Sequence, residues 1–309
     1  ILRVTQAYFD VLLAQDALAT TQGQKAAIAE QLAAAKRTFE VGTTTITDTN
    51  EAQSRYDLII AQEIAAQSDL AVKQETLRTV IGKESRNLKN LKPGVTLLGP
   101  QPNDITQWVT MAETSNPGVR ASQAAFEITA REIEKQRAGH YPTLDLVASR
   151  NKNAQGSSSI PGFGGAEATN NSICLQLSIP IYAGGAEVSK EREAVALKEK
   201  ASADLENTRR QATLGARQAY LGVTSGLAQV KAFEAALISS QSSLDSNKLG
   251  YDVGVRINID VLNAQRQLYA TQQSLSKAGL DTLLALLRLK AAAGSLIEDD
   301  VQAINALLN

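Results

Sequence analysis

Two turns carry the charged and hydroxyl side chains through which this chain could do specific chemistry. One holds Tyr251, Arg256, Asp260 and Asn263; the other holds Thr47 and Asp48. What they offer is hydrogen bonding and ion pairing. A guanidinium presents several fixed donors to a carboxylate or hydroxyl, and a phenol adds one more. Bond-making chemistry has no comparable cluster. The sequence has one histidine, His140, and one cysteine, Cys174, and nothing assembles a nucleophile, a base and an orienting group. A lone His beside Tyr141-Pro142 gives no metal ligand set either. The expectation is a non-enzyme with no cofactor and no metal. Asn170-Asn171-Ser172 fits a glycosylation sequon but is assigned no role. Gly162-Phe163-Gly164-Gly165 lacks the strand-to-helix context of a phosphate cradle.

The elements that position these side chains are long helices. The clearer turn runs Tyr251-Asp252-Val253-Gly254-Val255-Arg256-Ile257-Asn258-Ile259-Asp260, and its counterpart runs from Phe39-Glu40-Val41-Gly42 to Thr47-Asp48. Gly42 and Gly254 read as helix stops, because glycine accepts the left-handed conformation that closes a helix. Asp48 and Asp260 stand where an N-cap for the following helix is expected. The likeness extends beyond the tips. A shift of 212 positions lays Gln6–Gly82 on Gln218–Gly294 without a gap, with Tyr8 on Tyr220, Asp69 on Asp281 and Gly82 on Gly294. This is an internal duplication.

A seven-residue apolar stripe runs through both copies. Val4, Val11, Leu18, Leu32 and Phe39 fall on it, with Lys25 the exception, and Ala216, Val223, Val230, Leu237, Leu244 and Tyr251 repeat it. The return helices carry Tyr56, Leu70 and Leu77, with Glu63 interrupting, and Leu268, Leu275 and Leu289. A stripe kept up this long implies supercoiling against partner helices.

Composition agrees. The chain has 309 residues, a prior of about two domains, and only 4% aromatics, which suits close helix packing better than a thick core. A net charge of −1, with both signs interleaved, argues against a nucleic-acid surface. No run of about 18 apolar residues exists, so no transmembrane helix is expected. The chain opens at Ile1 inside a helical pattern, which predicts a natural N-terminus further upstream.

Between the copies the pattern changes. Residues 83–117 are broken by Pro93, Pro100, Pro102 and Pro117, and read as a small mixed layer with a short helix near Asp104–Thr114 anchored by Trp108. A helix runs from about Gly118 to Gly139. Pro142 then opens an alternating strand through Ser149, and Asn151–Asn170 reads as a flexible loop. Ile173, Leu175, Leu177, Ile179 and Ile181 alternate with Ser172, Cys174, Gln176 and Ser178. One wholly apolar and one small polar face over about 10 residues match a tilted transmembrane β-strand. Taken alone, that segment favours a soluble hairpin with its apolar face packed on a core. Tyr182 suits a headgroup interface. A helix from Glu187 to Val253 follows, and the tail after Gly294 reads as a short amphipathic helix.

Together these residues resemble the TolC-type outer-membrane efflux and type I secretion channels of Gram-negative bacteria. The resemblance rests on the two Val-Gly…Asp tips, Gln6-Ala7-Tyr8, Asn116-Pro117, His140–Leu146, Leu177–Gly185 and Gln241–Asp245. It implies a mainly α fold, with helical hairpins forming an α-barrel tunnel that continues into a transmembrane β-barrel. The divisions are then 1–82 (first hairpin, tip 42–48), 83–117 (equatorial layer) and 118–140 (tunnel helix). They continue as 141–182 (barrel hairpin), 183–294 (second hairpin, tip 254–260) and 295–309 (C-terminal equatorial segment). Family members carry a first helix and strand pair upstream of the position matching Ile1.

The implied protein is a homotrimer in the outer membrane that extends into the periplasm. Its implied partners are a periplasmic adaptor (membrane fusion) protein, an inner-membrane ABC or RND-type transporter and outer-membrane lipid. Ile173, Leu175, Leu177, Ile179 and Ile181 would face lipid, and Cys174 the barrel lumen. By resemblance, Arg256 and Tyr251 on one tip and Thr47 and Asp48 on a neighbouring tip hold the periplasmic end shut. Asp260 forms an acidic ring at the aperture, and Asn263 stands where a second acid is common. The competing reading is a soluble coiled-coil structural or adaptor protein, which a detergent requirement and channel activity would separate from a duct.

Overall fold

The computed structural model describes residues 1–42, 45–83, 88–92, 97–156 and 165–308. The element order is α1 (Leu2–Glu40), α2 (Ile46–Ile81), α3 (Ile105–Ser115), α4 (Pro117–Ala138), β1 (Thr143–Gln155), β2 (Ala166–Ser178), α5 (Ala186–Asp252), α6 (Asn258–Ala292) and α7 (Glu298–Leu307). Two compact units divide it: Ile1–Pro117 with Arg210–Asn309, and Gly118–Arg209. Among the described residues no helix is long and apolar enough to cross a membrane.

In the first unit the duplication is visible in the packing. Near the tips, Leu32, Ala35 and Ala52 form a core cluster with Tyr56 against it. Leu244, Val261 and Leu268 form its counterpart with Ala264 and Tyr251. At the far ends Ala7, Val11 and Leu77 pack beside Tyr8, while Val223 and Leu289 pack beside Ala219 and Tyr220. Each duplicated tyrosine also donates its hydroxyl to the segment that follows a hairpin. Tyr8 donates to the Lys89 carbonyl at 2.9 Å and Tyr220 to Asn103 Oδ1 at 2.8 Å.

The two interruptions of the first copy's stripe meet each other. Lys25 on α1 and Glu63 on α2 form an ion pair at 2.7 Å. The hydrogen bond from Lys25 draws the Glu63 carboxyl below its ordinary value, and the same bond from Glu63's side raises the Lys25 ammonium. Lys25 and Glu63 map onto Leu237 and Leu275 in the second copy, so one level of the repeat is ionic in one hairpin and aliphatic in the other.

α1 also packs on α6. Phe9 and Leu12 join Leu280, Leu283, Leu284 and Leu287 in one buried cluster with Ile304 and Leu308. Leu91 bridges Leu308 in antiparallel fashion, bringing the tail onto the segment after the first hairpin. Trp108 is buried at 2% exposure beside Val223, Leu289 and Ala293, with its Nε1 donating to the Pro102 carbonyl at 2.7 Å. Asp104 caps α3 by accepting from the Thr106 N–H. The expected short helix and its anchor are therefore in place. The expected turn at Pro93-Gly94 lies outside the described residues.

The second unit contains α4, the β1–β2 hairpin and the first part of α5. Ser122 bonds Thr208 at 3.1 Å and Arg137 pairs with Glu191 at 2.7 Å along α4 and α5. β1 and β2 pair antiparallel through thirteen rungs, from Thr143↔Ser178 to Gln155↔Ala166. Two expectations are corrected here. The loop expected over Asn151–Asn170 is shorter, because the ladder runs to Gln155 and resumes at Ala166. Cross-strand partners sustain it: Ser149 bonds Ser172 at 2.8 Å and Lys152 pairs with Glu167. At the other end the strand stops at Ser178, so Ile179 and Ile181 lie beyond the ladder. Pro180 has no N–H to donate, and Pro142 stands before the partner strand. The glycines Gly162 and Gly164 lie outside the described residues.

Candidate functional site: the helix tips and the apolar sheet face

α1 stops at Val41, whose N–H donates to the Arg37 carbonyl, and Gly42 follows at φ 75°. Thr43 and Thr44 lie outside the described residues. Thr45 then adopts extended backbone and caps α2. Its Oγ1 accepts the Asp48 N–H and Asp48 Oδ2 accepts the Thr45 N–H, both at 3.4 Å. Asp48 is thus three residues inside the cap, corrected from the expected N-cap position. The reciprocal pair is a capping box, which satisfies two free N–H groups at once. Thr47 is exposed beside it.

The second tip is built differently. Gly254 follows α5 at φ 77°, and the Gly250 carbonyl accepts the N–H groups of Val255 and Arg256 at 2.8 and 2.9 Å. A Cβ on Gly250 would meet Arg256 Cγ at 2.6 Å, so the arginine's stem lies across that glycine. Ile257 is the residue that starts α6, with no side-chain cap, and Asp260 again sits three residues in. The N-cap expectation for Asp260 fails because an isoleucine, with no acceptor, occupies the cap. Asp260 instead faces Arg256, Nη1 to Oδ2 at 3.6 Å. Tyr251 is half-buried against Leu244, Val261 and Leu268.

Within this chain Arg256 and Asp48 each find a partner on their own tip. The described link between the hairpins near the tips is one that sequence reasoning missed. Arg55 on α2 donates to Asn263 Oδ1 on α6 at 3.4 Å, and to Glu51 at the same distance. The Glu51–Arg55 spacing, four apart on a helix, could have flagged the second contact. The first joins residues 208 apart and leaves no local signal. Thr45 was also missed, although Thr45-x-x-Asp48 is a capping-box pattern.

The sheet divides cleanly by side. Leu144↔Leu177, Leu146↔Leu175 and Ala148↔Ile173 share one face, and Asp145↔Gln176, Val147↔Cys174 and Ser149↔Ser172 share the other. On the first, Leu144, Leu146, Ile173, Leu175 and Leu177 are each at least 60% exposed. Ile181 and Tyr182, beyond the ladder, are 95% and 90% exposed. Such a patch of aligned large apolar side chains is far from the scattered exposure of ordinary surfaces. Farther along the ladder this face turns polar, with Arg150, Lys152 and Glu167. Among the described residues no group of His, Cys, Asp and Glu could hold a metal.

Known proteins match this arrangement. The family model for outer membrane efflux proteins matches residues 1–83 and 108–295. The chain is 33% identical to outer membrane protein TolC of Vibrio cholerae, over 99% of this chain and 70% of that protein. It is 32% identical to the alkaline protease secretion protein AprF of Pseudomonas aeruginosa, over 99% of this chain and 63% of that one. Among solved structures, the Campylobacter jejuni CmeC outer membrane channel superposes with a TM-score of 0.76 at 16% identity, covering 99% of this chain and 65% of that one. A membrane protein from Pseudomonas aeruginosa gives 0.78 at 21% identity, covering 95% of this chain and 67% of that one. The chain thus spans about two thirds of the length of the proteins it matches. Helical tips, apolar sheet face and sequence agree: the chain belongs to the outer membrane efflux protein family, the TolC-type factors of the Gram-negative outer membrane that extend into the periplasm.

Proposed function

We propose that this chain supplies the tunnel hairpins and one barrel hairpin of a homotrimeric outer-membrane exit duct. The duct passively conducts drugs or secreted protein once a periplasmic adaptor and an inner-membrane ABC or RND-type transporter dock on it. The observation that carries this reading is the exposed apolar face of the β1–β2 sheet. Water makes no favourable use of five aligned large apolar side chains, whereas lipid does. A two-stranded sheet also leaves backbone groups unpaired at its edges, which lipid does not tolerate; a strand pair like the one family members carry upstream of Ile1, together with strands from neighbouring copies, would close it. In this reading residues 83–117 and 295–309 form the equatorial layer and 141–182 the barrel hairpin. Ile173, Leu175 and Leu177 face hydrocarbon, Ile179 and Ile181 continue that band past the ladder, and Cys174 faces the lumen.

The gate lies at the tips, where Arg256 and Tyr251 of one tip reach Thr47 and Asp48 of a neighbouring tip. Exposed pairs of this kind contribute about 0–1 kcal/mol each, weak enough for a docking partner to replace. Gly42 and Gly254 let the chain turn sharply enough to place them. Asp260 rings the aperture, partly neutralised by Arg256, and Asn263 adds no charge, so cation selectivity is weak. The test is conductance of the full-length protein in planar bilayers. Arg256→Ala combined with Tyr251→Phe raises single-channel conductance; an unchanged value removes the gate assignment. Light scattering in detergent should give the mass of three copies.

A further inference from the structure

We propose that the β1–β2 sheet holds a phosphate-bearing lipid headgroup of the outer leaflet through Arg150, with Lys152 beside it restrained by Glu167. The inference rests on the barrel reading above. On the apolar side, the rungs Leu144↔Leu177, Leu146↔Leu175 and Ala148↔Ile173 are followed by Arg150↔Asn171 and Lys152↔Thr169. Ile173 to Ile181 spans at most about 27 Å of extended chain, which covers most of an apolar band about 25 Å tall once the strand is tilted. Arg150 stands one same-side rung, about 7 Å, beyond the end of that band. This is the end of the ladder farther from α4 and α5. Those helices lead into the periplasm in the barrel reading, so Arg150 meets the outer leaflet.

The charges of the hairpin are sorted by side. Arg150, Lys152 and Glu167 all lie on the apolar side, whereas among the described residues the opposite side carries one charge, Asp145. A cation placed for water alone would fare as well on either side. Next to hydrocarbon it is costly unless its head reaches a polar layer. Lys152 is already paired with Glu167, but Arg150 is exposed and has no hydrogen-bond or ion-pair partner among the described residues. Its planar fork matches a phosphate. The two ends of the band also differ. Tyr141 and Tyr182 are exposed at the helix end, where rings suit a headgroup interface. The described residues of the far end, 149–155 and 166–172, contain no aromatic. Barrels carry aromatic girdles at both interfaces, so a cation in place of a ring points to headgroups of net negative charge on this side.

The test places a reporter beside the arginine. Full-length protein carrying Ala148→Trp, one same-side rung from Arg150, is reconstituted in vesicles of phosphatidylcholine and phosphatidic acid, with the chains of one lipid brominated at a time. Quenching of the new tryptophan reads which lipid sits there, and Trp108, buried among the helices, adds a constant background. Phosphatidic acid is favoured about fivefold over phosphatidylcholine, the worth of one cation at an anionic surface. Arg150→Gln brings the ratio near one, and Glu167→Gln, by releasing Lys152, raises it about twofold or more. Inorganic phosphate lowers the ratio no more than chloride of equal ionic strength, because the ligand is the lipid and not the free anion. Light scattering in detergent establishes that each variant keeps the parent's mass. Quenching by neither lipid removes the barrel reading and this inference together. Equal quenching by both, a ratio that survives Arg150→Gln, or one that inorganic phosphate specifically abolishes overturns this inference and leaves the barrel reading standing.

Discussion

The two helical hairpins are copies of one another, yet at one level they solve the same packing problem with opposite chemistry. The first puts Lys25 against Glu63; the second puts Leu237 and Leu275 at the matching positions. Leucines at that level are interchangeable with any other leucines along the stripe, so they tolerate a slip by a heptad. An ion pair tolerates none, because a slip leaves each charge facing an apolar neighbour. The first hairpin therefore carries a register mark that the second lacks. The helix ends show a second difference. Gly82 and Gly294 both have left-handed backbone, at φ 71° and 69°. A Cβ on Gly82 would meet nothing within 4 Å, whereas on Gly294 it would sit 2.3 Å from the Ser115 carbonyl oxygen. Asn116 donates to the Ala292 carbonyl beside it at 2.9 Å, so the second hairpin is the one clamped to the layer after α3.

The largest expected effect comes from breaking that clamp. Gly294→Ala meets both the left-handed penalty of about 1–2 kcal/mol and the Ser115 carbonyl. Gly82→Ala meets the penalty alone. Urea unfolding should show the Gly294 variant as clearly the weaker of the two; equal midpoints would mean that the close approach is relieved without cost.

Next comes the ionic level. Lys25→Ala leaves the Glu63 carboxylate, 13% exposed, without its partner, and should lower the melting temperature by a few degrees. Replacing both, Lys25→Leu with Glu63→Leu, makes the first hairpin resemble the second and should restore or exceed the parent value. A double variant weaker than the single one would show that the pair stabilises more than leucines can.

The same pair gives the hairpins different responses to acid. Glu63 titrates below its ordinary value of 4.5 in the folded chain. Its stabilising share is therefore complete above that value and is lost as pH falls through the lower folded one. At the alkaline end Lys25 titrates above 10.5, so its share is complete below that value and is lost as pH rises through the higher folded one. Urea midpoints measured from neutral pH down through the carboxylate range should fall more steeply in the parent than in the double-leucine variant. Parallel curves would break the assignment.

The smallest effect is at the tips. Arg55→Ala removes the link to Asn263 and should cost about 0–1 kcal/mol. Hydrogen exchange near residues 258–263 detects it better than a melt.

Most of the helical plan was legible because it repeats locally. Heptads at Val11 and Val223, glycine stops at Gly42 and Gly254, and the punctuation of residues 83–117 are each set by neighbours in the chain. The apolar alternation from Ile173 to Leu177 was legible for the same reason. Where the chain chooses its partner across a distance, the letters were silent. Residues 151–155 look like loop because Asn, Lys and Gln rarely announce a strand, and only the matching residues 166–170 make them one. Lys25 and Glu63 each read as a flaw in a stripe, and become sense only when the two helices are laid side by side. Asp48 and Asp260 were misplaced by three residues because carboxylates serve well both at a cap and one turn inside it.

The thirteen-rung ladder is the sole sheet among the described residues, and it presents a row of bare amides and carbonyls along both flanks. Such flanks recruit any extended segment they meet. A newly made copy therefore carries a hazard for as long as those flanks stay uncovered, and how fast their proper cover arrives must outpace how fast stray polypeptide finds them. If the proposed barrel forms, delivery to the bilayer and closure of the sheet become one kinetic problem rather than two.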